Sequence, residues 1–217
     1  MRIVVTAGPT REPIDPVRFI SNRSSGKMGY AIAEAALERG DVVTLISGPV
    51  AITPPKEAAL VQITTSDELY AAVHQHVRDA DVLVMCAAVS DYKPTQAATR
   101  KLEKQTRDFS LPLTPTRDIL ASLAREDRSC LVVGFAAETH DLETRARTKL
   151  ARKNCDMIVA NDVSGTDLGM ESDYNAVTVF FANGDRKQIT RAKKRIVARE
   201  LMKIISEMIE KRLTKKT

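Results

Sequence analysis

Tryptophan does not occur in this sequence, and tyrosine and phenylalanine number only 4 and 5. A chain that grips nucleic acid through a basic face with interleaved aromatics would carry more of them. That scarcity argues against a nucleic-acid partner in spite of the formal net charge of +5. Cysteine is as scarce. Cys86, Cys130 and Cys155 are far apart, and no C-x-x-C pair occurs, which argues against a disulfide framework and a zinc site. Each lies in or beside an apolar run, as a small buried hydrophobe does. No apolar run reaches the ~20 residues of a membrane span. The N-terminus, Met1-Arg2-Ile3-Val4-Val5-Thr6, reads as a strand and not as a signal peptide. The expected location is cytoplasmic, with no membrane partner.

What is present is an alternation. A chain of 217 residues suits one α/β domain spanning 1–217. Apolar, β-branched runs predict strands at Arg2 to Thr6, Val42 to Ser47, Leu60 to Thr64, Asp81 to Ala87, Cys130 to Ala136 and Asp156 to Ala160. Helices are predicted between them: Lys27 to Arg39, stopped by Gly40, Ser66 to Asp79 with Ser66 as N-cap, Arg117 to Glu126, and Leu142 to Asn154. Ala88 to Leu111 is polar and without period, and reads as one long loop. Asn183-Gly184 joins Val177 to Phe181 and Arg186 to Ile189 as a hairpin. Arg191 to Leu213 closes the chain as a helix. Its end, Lys211, Arg212, Lys215 and Lys216, places cations at a helix C-terminus. The remaining basic excess suits a phosphate-rich small molecule.

Alternating strands and helices imply a mostly parallel sheet covered on both faces. Ligands of such sheets bind beyond the carboxyl ends of the strands. Those ends are Thr6-Ala7-Gly8, Cys86-Ala87-Ala88, Phe135-Ala136-Ala137 and Ala160-Asn161-Asp162, nearly all small or polar. The G-x-G-x-x-G of a dinucleotide site is missing after the first strand. The first helix is entered instead through Ser21-Asn22-Arg23-Ser24-Ser25-Gly26-Lys27-Met28-Gly29. Exposed N–H groups at such a start attract phosphate. This is not a P-loop, because Met28 stands where a Ser or Thr would hold magnesium.

The run Thr10-Arg11-Glu12-Pro13-Ile14-Asp15-Pro16-Val17-Arg18-Phe19-Ile20-Ser21-Asn22-Arg23-Ser24-Ser25-Gly26-Lys27-Met28-Gly29 resembles the signature of bacterial phosphopantothenoylcysteine synthetases. Ala87-Ala88-Val89-Ser90-Asp91-Tyr92-Lys93-Pro94 resembles that family's second motif, and Lys101-Leu102-Glu103-Lys104 its lysine-rich loop. Val133 to Thr139 and Lys153 to Val163 are similar to two further segments. The resemblance runs nearly the whole length of the chain. It implies a Rossmann-like, three-layer, mostly parallel α/β fold with an added C-terminal hairpin and a flexible active-site loop near 92–110.

The resemblance further implies a ligase of coenzyme A biosynthesis. Phosphopantothenate and cysteine are joined through an acyl-cytidylate, with CTP as co-substrate and CMP and pyrophosphate released. Mg2+ is implied too, held mainly by the nucleotide phosphates, with no protein ligand assigned. A homodimer and a decarboxylase partner belong to the same picture. Carried over residue by residue, Lys101 stabilises charge during nucleotide transfer, Asn22 meets the acyl carbonyl, and Arg18 contacts the acid or the nucleotide. Gly8, Ser24, Ser25, Gly26, Ala87, Ala88, Thr116 and Phe135 are implied to bind nucleotide. Asp91 is implied to take a ribose hydroxyl or to assist magnesium. Lys149 and Lys153, four apart on one helix face, can grip phosphates.

Two departures stand out. Glu103 replaces a usual lysine of the loop, and Thr116-Arg117-Asp118 replaces Asn-Pro-Asp. Nothing in the residues themselves reads a cytosine edge, so CTP against ATP stays open. Two other readings stay in view: a nicotinamide oxidoreductase of the same fold class, and a non-catalytic nucleotide-binding homologue.

Overall fold

A computed structural model describes residues 1–104, 106–123, 129–138, 140–162 and 170–214. The expected helical residues 124–126, Thr139 and Val163 of two motifs, and Lys215 and Lys216 lie outside the described residues.

The elements follow in chain order. They are β1 (Arg2–Ala7), β2 (Arg11–Pro13), β3 (Phe19–Ser21), α1 (Lys27–Glu38), β4 (Val42–Ser47), β5 (Ala59–Gln62), α2 (Ser66–His76), β6 (Val82–Met85), β7 (Tyr92–Pro94), β8 (Leu113–Pro115), α3 (Ile119–Leu123), β9 (Leu131–Glu138), α4 (Leu142–Arg152), β10 (Met157–Asp162), β11 (Tyr174–Phe181), β12 (Arg186–Lys193) and α5 (Lys194–Thr214). A short 3₁₀ turn, Val77–Asp79, extends α2.

Eight strands form one sheet in the order β12-β11-β10-β9-β6-β1-β4-β5. The six from β10 to β5 are parallel, and β11 and β12 are added antiparallel. From β1 the chain steps outward through β4 to β5, then returns to β6 on the other side of β1. The two carboxyl ends therefore part at β1 and β6, the place where α/β sheets hold ligands.

Strand alternation divides the core between two faces. Ile3 and Val5 pack with α1 and α5, and Val4 packs with α2, α3 and α4. Fully buried Leu45, Ile46, Leu69, Leu83, Leu131, Ile158 and Leu201 each contribute about 1.5–3 kcal/mol of transfer free energy. Gly29 brings α1 against β1: an added Cβ would stand 2.6 Å from Ala7 Cβ. Arg199 clamps Glu38 of α1 with two hydrogen bonds at 2.7 and 2.8 Å, tying α5 over it.

Three details differ from the sequence reading. The N-cap of α2 is Thr65, which forms a capping box with Glu68, and Ser66 is the first helical residue. The final helix begins at Lys194, not at Arg191, because residues up to Lys193 pair with β11. Two small antiparallel pairs, β2–β3 and β7–β8, lie in stretches where the sequence reading placed no strand. Three-residue strands are too short to show a period of two.

Candidate functional site

At the carboxyl ends of β1, β6, β9 and β10 lies a cleft of about 470 Å³. Its first wall is the start of α1. Gly26 precedes the helix with φ +78, a conformation side chains disfavour, and a Cβ there would meet Val50 Cγ1 at 2.8 Å. It offers no side-chain cap, and the first turn holds no acidic residue. The first-turn N–H groups are thus open to an anion, with Lys27 beside them.

The floor is stitched between distant segments. Thr6 Oγ1 accepts the N–H groups of Cys86 and Ala87 at 3.1 and 3.0 Å, turning the chain at the end of β6. Ala88 donates its N–H to Gly8 O at 2.9 Å, and Ala88 O accepts from Asn22 Nδ2 at 3.2 Å. Thr116 Oγ1 donates to Ser90 O at 2.6 Å. The peptide groups of Cys86, Ala87, Ala88 and Ser90 are therefore held by bonds within the protein.

The opposite wall is basic. Lys149, Arg152 and Lys153 from the end of α4 line it. Burial lowers the pKa of Lys149, and the neighbouring Lys153 lowers it further. Lys153 Nζ lies 3.4 Å from Asp118 Oδ1. At the inner end, Lys194 is buried and donates to Met170 O at 2.9 Å. Its pKa is also lowered, first by burial and then by Lys27. Burial pushes the Cys86 thiol up to about 12, which leaves it protonated and unreactive.

Of the residues singled out in the sequence, Asn22, Ser24, Gly26, Ala87, Ala88, Asp91, Thr116, Phe135, Lys149 and Lys153 line this one cleft. Gly8 lies beneath it, against Gly26 and Val50, where its φ of +75 bends the chain. Ser25 is not among the lining residues and donates to the O of Met170, which is, at 2.7 Å. Arg18 and Lys101 are not among the lining residues. Arg18 is paired with Asp15, and Lys101 is exposed on the loop that follows β7. Arg117, at the departure from Asn-Pro-Asp, also lines the cleft, donates to Asp67 Oδ1 at 3.1 Å and lies over the Tyr70 ring.

Sequence reasoning did not find Lys194 and Asn175, which also line the cleft. Lys194 opens a helix on the far side of the chain, and no local motif announces it. Asn175 sits where the register of β11 and β12 shifts, buried, with its amide nitrogen toward Met28 Sδ at 3.7 Å. A polar residue inside an alternating strand is the available signal.

Among the described residues no cluster of three His, Cys, Asp or Glu side chains forms a metal site. Asp91 and Asp118 are the carboxylates on the cleft lining. This donor set fits a magnesium ion that comes in on phosphates and not one held by the protein alone.

The model of the DNA/pantothenate metabolism flavoprotein C-terminal domain matches residues 1–209. The coenzyme A biosynthesis bifunctional protein CoaBC of Bacillus subtilis is 44% identical over 207 residues, 95% of this chain and 51% of the relative. The Escherichia coli protein of that name is 47% identical over 190 residues, 86% of this chain and 47% of the relative. The chain thus spans about half the length of these relatives. The crystal structure of the C-terminal domain of a CoaBC superposes with a TM-score of 0.83 at 42% identity, covering 97% of this chain and 96% of that one. A Cab2 mutant in complex with phosphopantothenate-cysteine shares the fold, with a TM-score of 0.81 at 18% identity, covering 100% of this chain and 89% of that one. On the length of the match and the identity to these proteins, the chain belongs to the DNA/pantothenate metabolism flavoprotein C-terminal domain family.

Proposed function

We propose that this chain is a phosphopantothenate–cysteine ligase of coenzyme A biosynthesis that draws its energy from CTP. The observation that carries the reading is a cleft with an uncapped helix start on one wall and the Lys149–Lys153 pair on the other. Such a site suits a triphosphate and offers no nucleophile. The reaction needs none from the protein, because the substrate carboxylate and the cysteine amine attack in turn.

In the first half, the pantothenate carboxylate attacks the α-phosphate of the nucleotide and pyrophosphate leaves. Negative charge spreads over the phosphoryl oxygens. Helix N–H groups and the lysines of the cleft wall oppose it. A magnesium ion, if bound, would come in on the phosphates beside Asp91 and Asp118 and would supply charge neutralisation there. In the second half, the cysteine amine attacks the acyl carbon and CMP leaves. Asn22, whose Nδ2 donates to Ala88 O at 3.2 Å, is given the acyl carbonyl in this reading. Lys101 closes over the phosphates from its loop.

A homodimer, a decarboxylase partner and a cytoplasmic location belong to the same reading. No described helix is long and apolar enough to cross a membrane. The test mixes protein, phosphopantothenate, cysteine and magnesium with CTP or ATP, and follows pyrophosphate and nucleoside monophosphate. Turnover with CTP above ATP is expected. No turnover with either nucleotide ends the ligase reading, and faster turnover with ATP ends the CTP assignment.

A further inference from the structure

Asp15 is a carboxylate with none of its side-chain surface exposed, in a connecting segment outside the cleft lining. Its two oxygens have different tasks. Oδ1 accepts the N–H groups of Val17 and Arg18, both at 2.8 Å, and so closes its own turn. Oδ2 accepts from Arg18 Nε at 2.9 Å and Nη2 at 2.5 Å. It also accepts the N–H of Leu102 at 3.1 Å, from a residue 87 positions away. Arg18 Nη2 completes the circle by donating to Leu102 O at 2.5 Å. Both polar groups of one loop residue are thus gripped by one ion pair. Burial alone would push the Asp15 carboxyl up. The bonds from Leu102, Arg18 and Val17 outweigh that and hold it below the usual carboxylate range.

Lys101 is the residue before Leu102. Consecutive Cα atoms stand about 3.8 Å apart, so fixing Leu102 fixes where the Lys101 side chain starts. The side chain itself is exposed. The backbone also holds nearby, where Ala98 donates its N–H to Ile14 O at 2.9 Å.

We propose that Asp15 is a positioning residue for the reaction: with Arg18 it latches the Leu102 peptide and thereby sets the reach of Lys101. This inference rests on the ligase reading and on the part given there to Lys101. It also gives Arg18 a second task beside any contact with substrate.

Asp15→Asn tests the latch. The amide keeps one oxygen for the turn and puts an NH2 group opposite Arg18 and the Leu102 N–H. Misplacing a catalytic group by about 1 Å can cost 10²-fold, so kcat is expected to fall about 10- to 100-fold with little change in nucleotide KM. A double-mutant cycle with Lys101→Gln separates positioning from structure. If Asp15 acts through Lys101, Asp15→Asn costs nothing further in the Lys101→Gln background. Multiplying losses overturn the proposal.

Where Asp15→Asn does not fold, Asp15→Ser replaces it in the same cycle, since its hydroxyl keeps the turn and loses the latch. Trypsin supplies a readout independent of activity. Cleavage after Arg100, Lys101 and Lys104 is expected to accelerate in either Asp15 variant, and an unchanged rate overturns the latch. Should the unaltered protein show no ligase turnover, the ligase reading fails alone, and the trypsin rates still decide the latch.

Discussion

Gly29→Ala is the perturbation that most directly joins the packing of this fold to its site. An added Cβ would stand 2.6 Å from Ala7 Cβ, 3.0 Å from Thr6 O and 3.1 Å from Ala7 Cα. All three atoms belong to β1, between two hydrogen-bonded neighbours near the middle of the sheet, so none can swing aside. Relief requires α1 to lift. Overfilling a packed core costs about 1–3 kcal/mol. Replacing Gly by Ala in a helix interior returns ~1 kcal/mol at most, and less here because Gly29 lies in the first turn. The clash wins, for a net loss of about 1–2 kcal/mol. At 2–4 °C per kcal/mol for a chain of this size, the melting temperature should fall by roughly 2–8 °C. The same lift moves Lys27 and the open N–H groups away from the cleft, so nucleotide KM should rise. Urea unfolding and a thermal scan measure the first effect, and initial rates the second. A Gly29→Ala protein that melts at or above the unaltered chain would refute the packing argument.

Lys101→Gln should slow turnover on the order of 10²-fold with an unchanged circular dichroism spectrum, the usual loss when one transition-state donor is removed; an unaffected rate removes Lys101 from the mechanism. Asn22→Asp should leave nucleotide-dependent pyrophosphate release and impair amide formation. If both halves slow equally in rapid-quench assays, the part given to Asn22 is wrong. Burial lowers the Lys149 pKa, so the folded chain holds that proton less well than the unfolded chain. The charge therefore costs stability at neutral pH, and the cost fades as pH rises from the lowered value to the ordinary lysine value. Lys149→Met should raise the melting temperature at neutral pH, by less in alkaline buffer, while reducing turnover; a fall in melting temperature at neutral pH contradicts this. Val17, Phe19 and Leu113 are 60%, 48% and 47% exposed on or beside the two small strand pairs. If a second copy covers them, light scattering gives twice the chain mass and Phe19→Glu restores the single mass, whereas a monomer before mutation ends that idea.

Long periodic segments made the architecture readable. The apolar runs around Val4, Leu45 and Val84 and the Ala-rich face of α1 state their period openly. The hairpin at Asn183-Gly184 follows from turn chemistry, and Gly184 indeed has a φ of +94. Boundaries were harder where tertiary pairing outweighs local preference, as at Lys193, which pairs with Tyr174 although its neighbours favour a helix. The site divided in the same way. Residues in contiguous runs, such as Asn22 to Gly26 and Ala87 to Asp91, were visible. Lys194 and Asn175 join the cleft only because β11 folds back beside β10. The Asp15–Leu102 contact was invisible for a like reason, since no spacing links two residues that far apart.

The outermost strands give the sheet a further property. β5 has four residues, and β12 carries Arg186, Lys187, Arg191 and Lys193 along its eight. A short margin on one side and a row of cations on the other both discourage another chain from adding a strand there. Each margin presents backbone groups that would otherwise serve as a template for aggregation. The joining of copies by continuing the sheet is thereby disfavoured, and any contact between them falls to surfaces where side chains, not backbone, decide the fit.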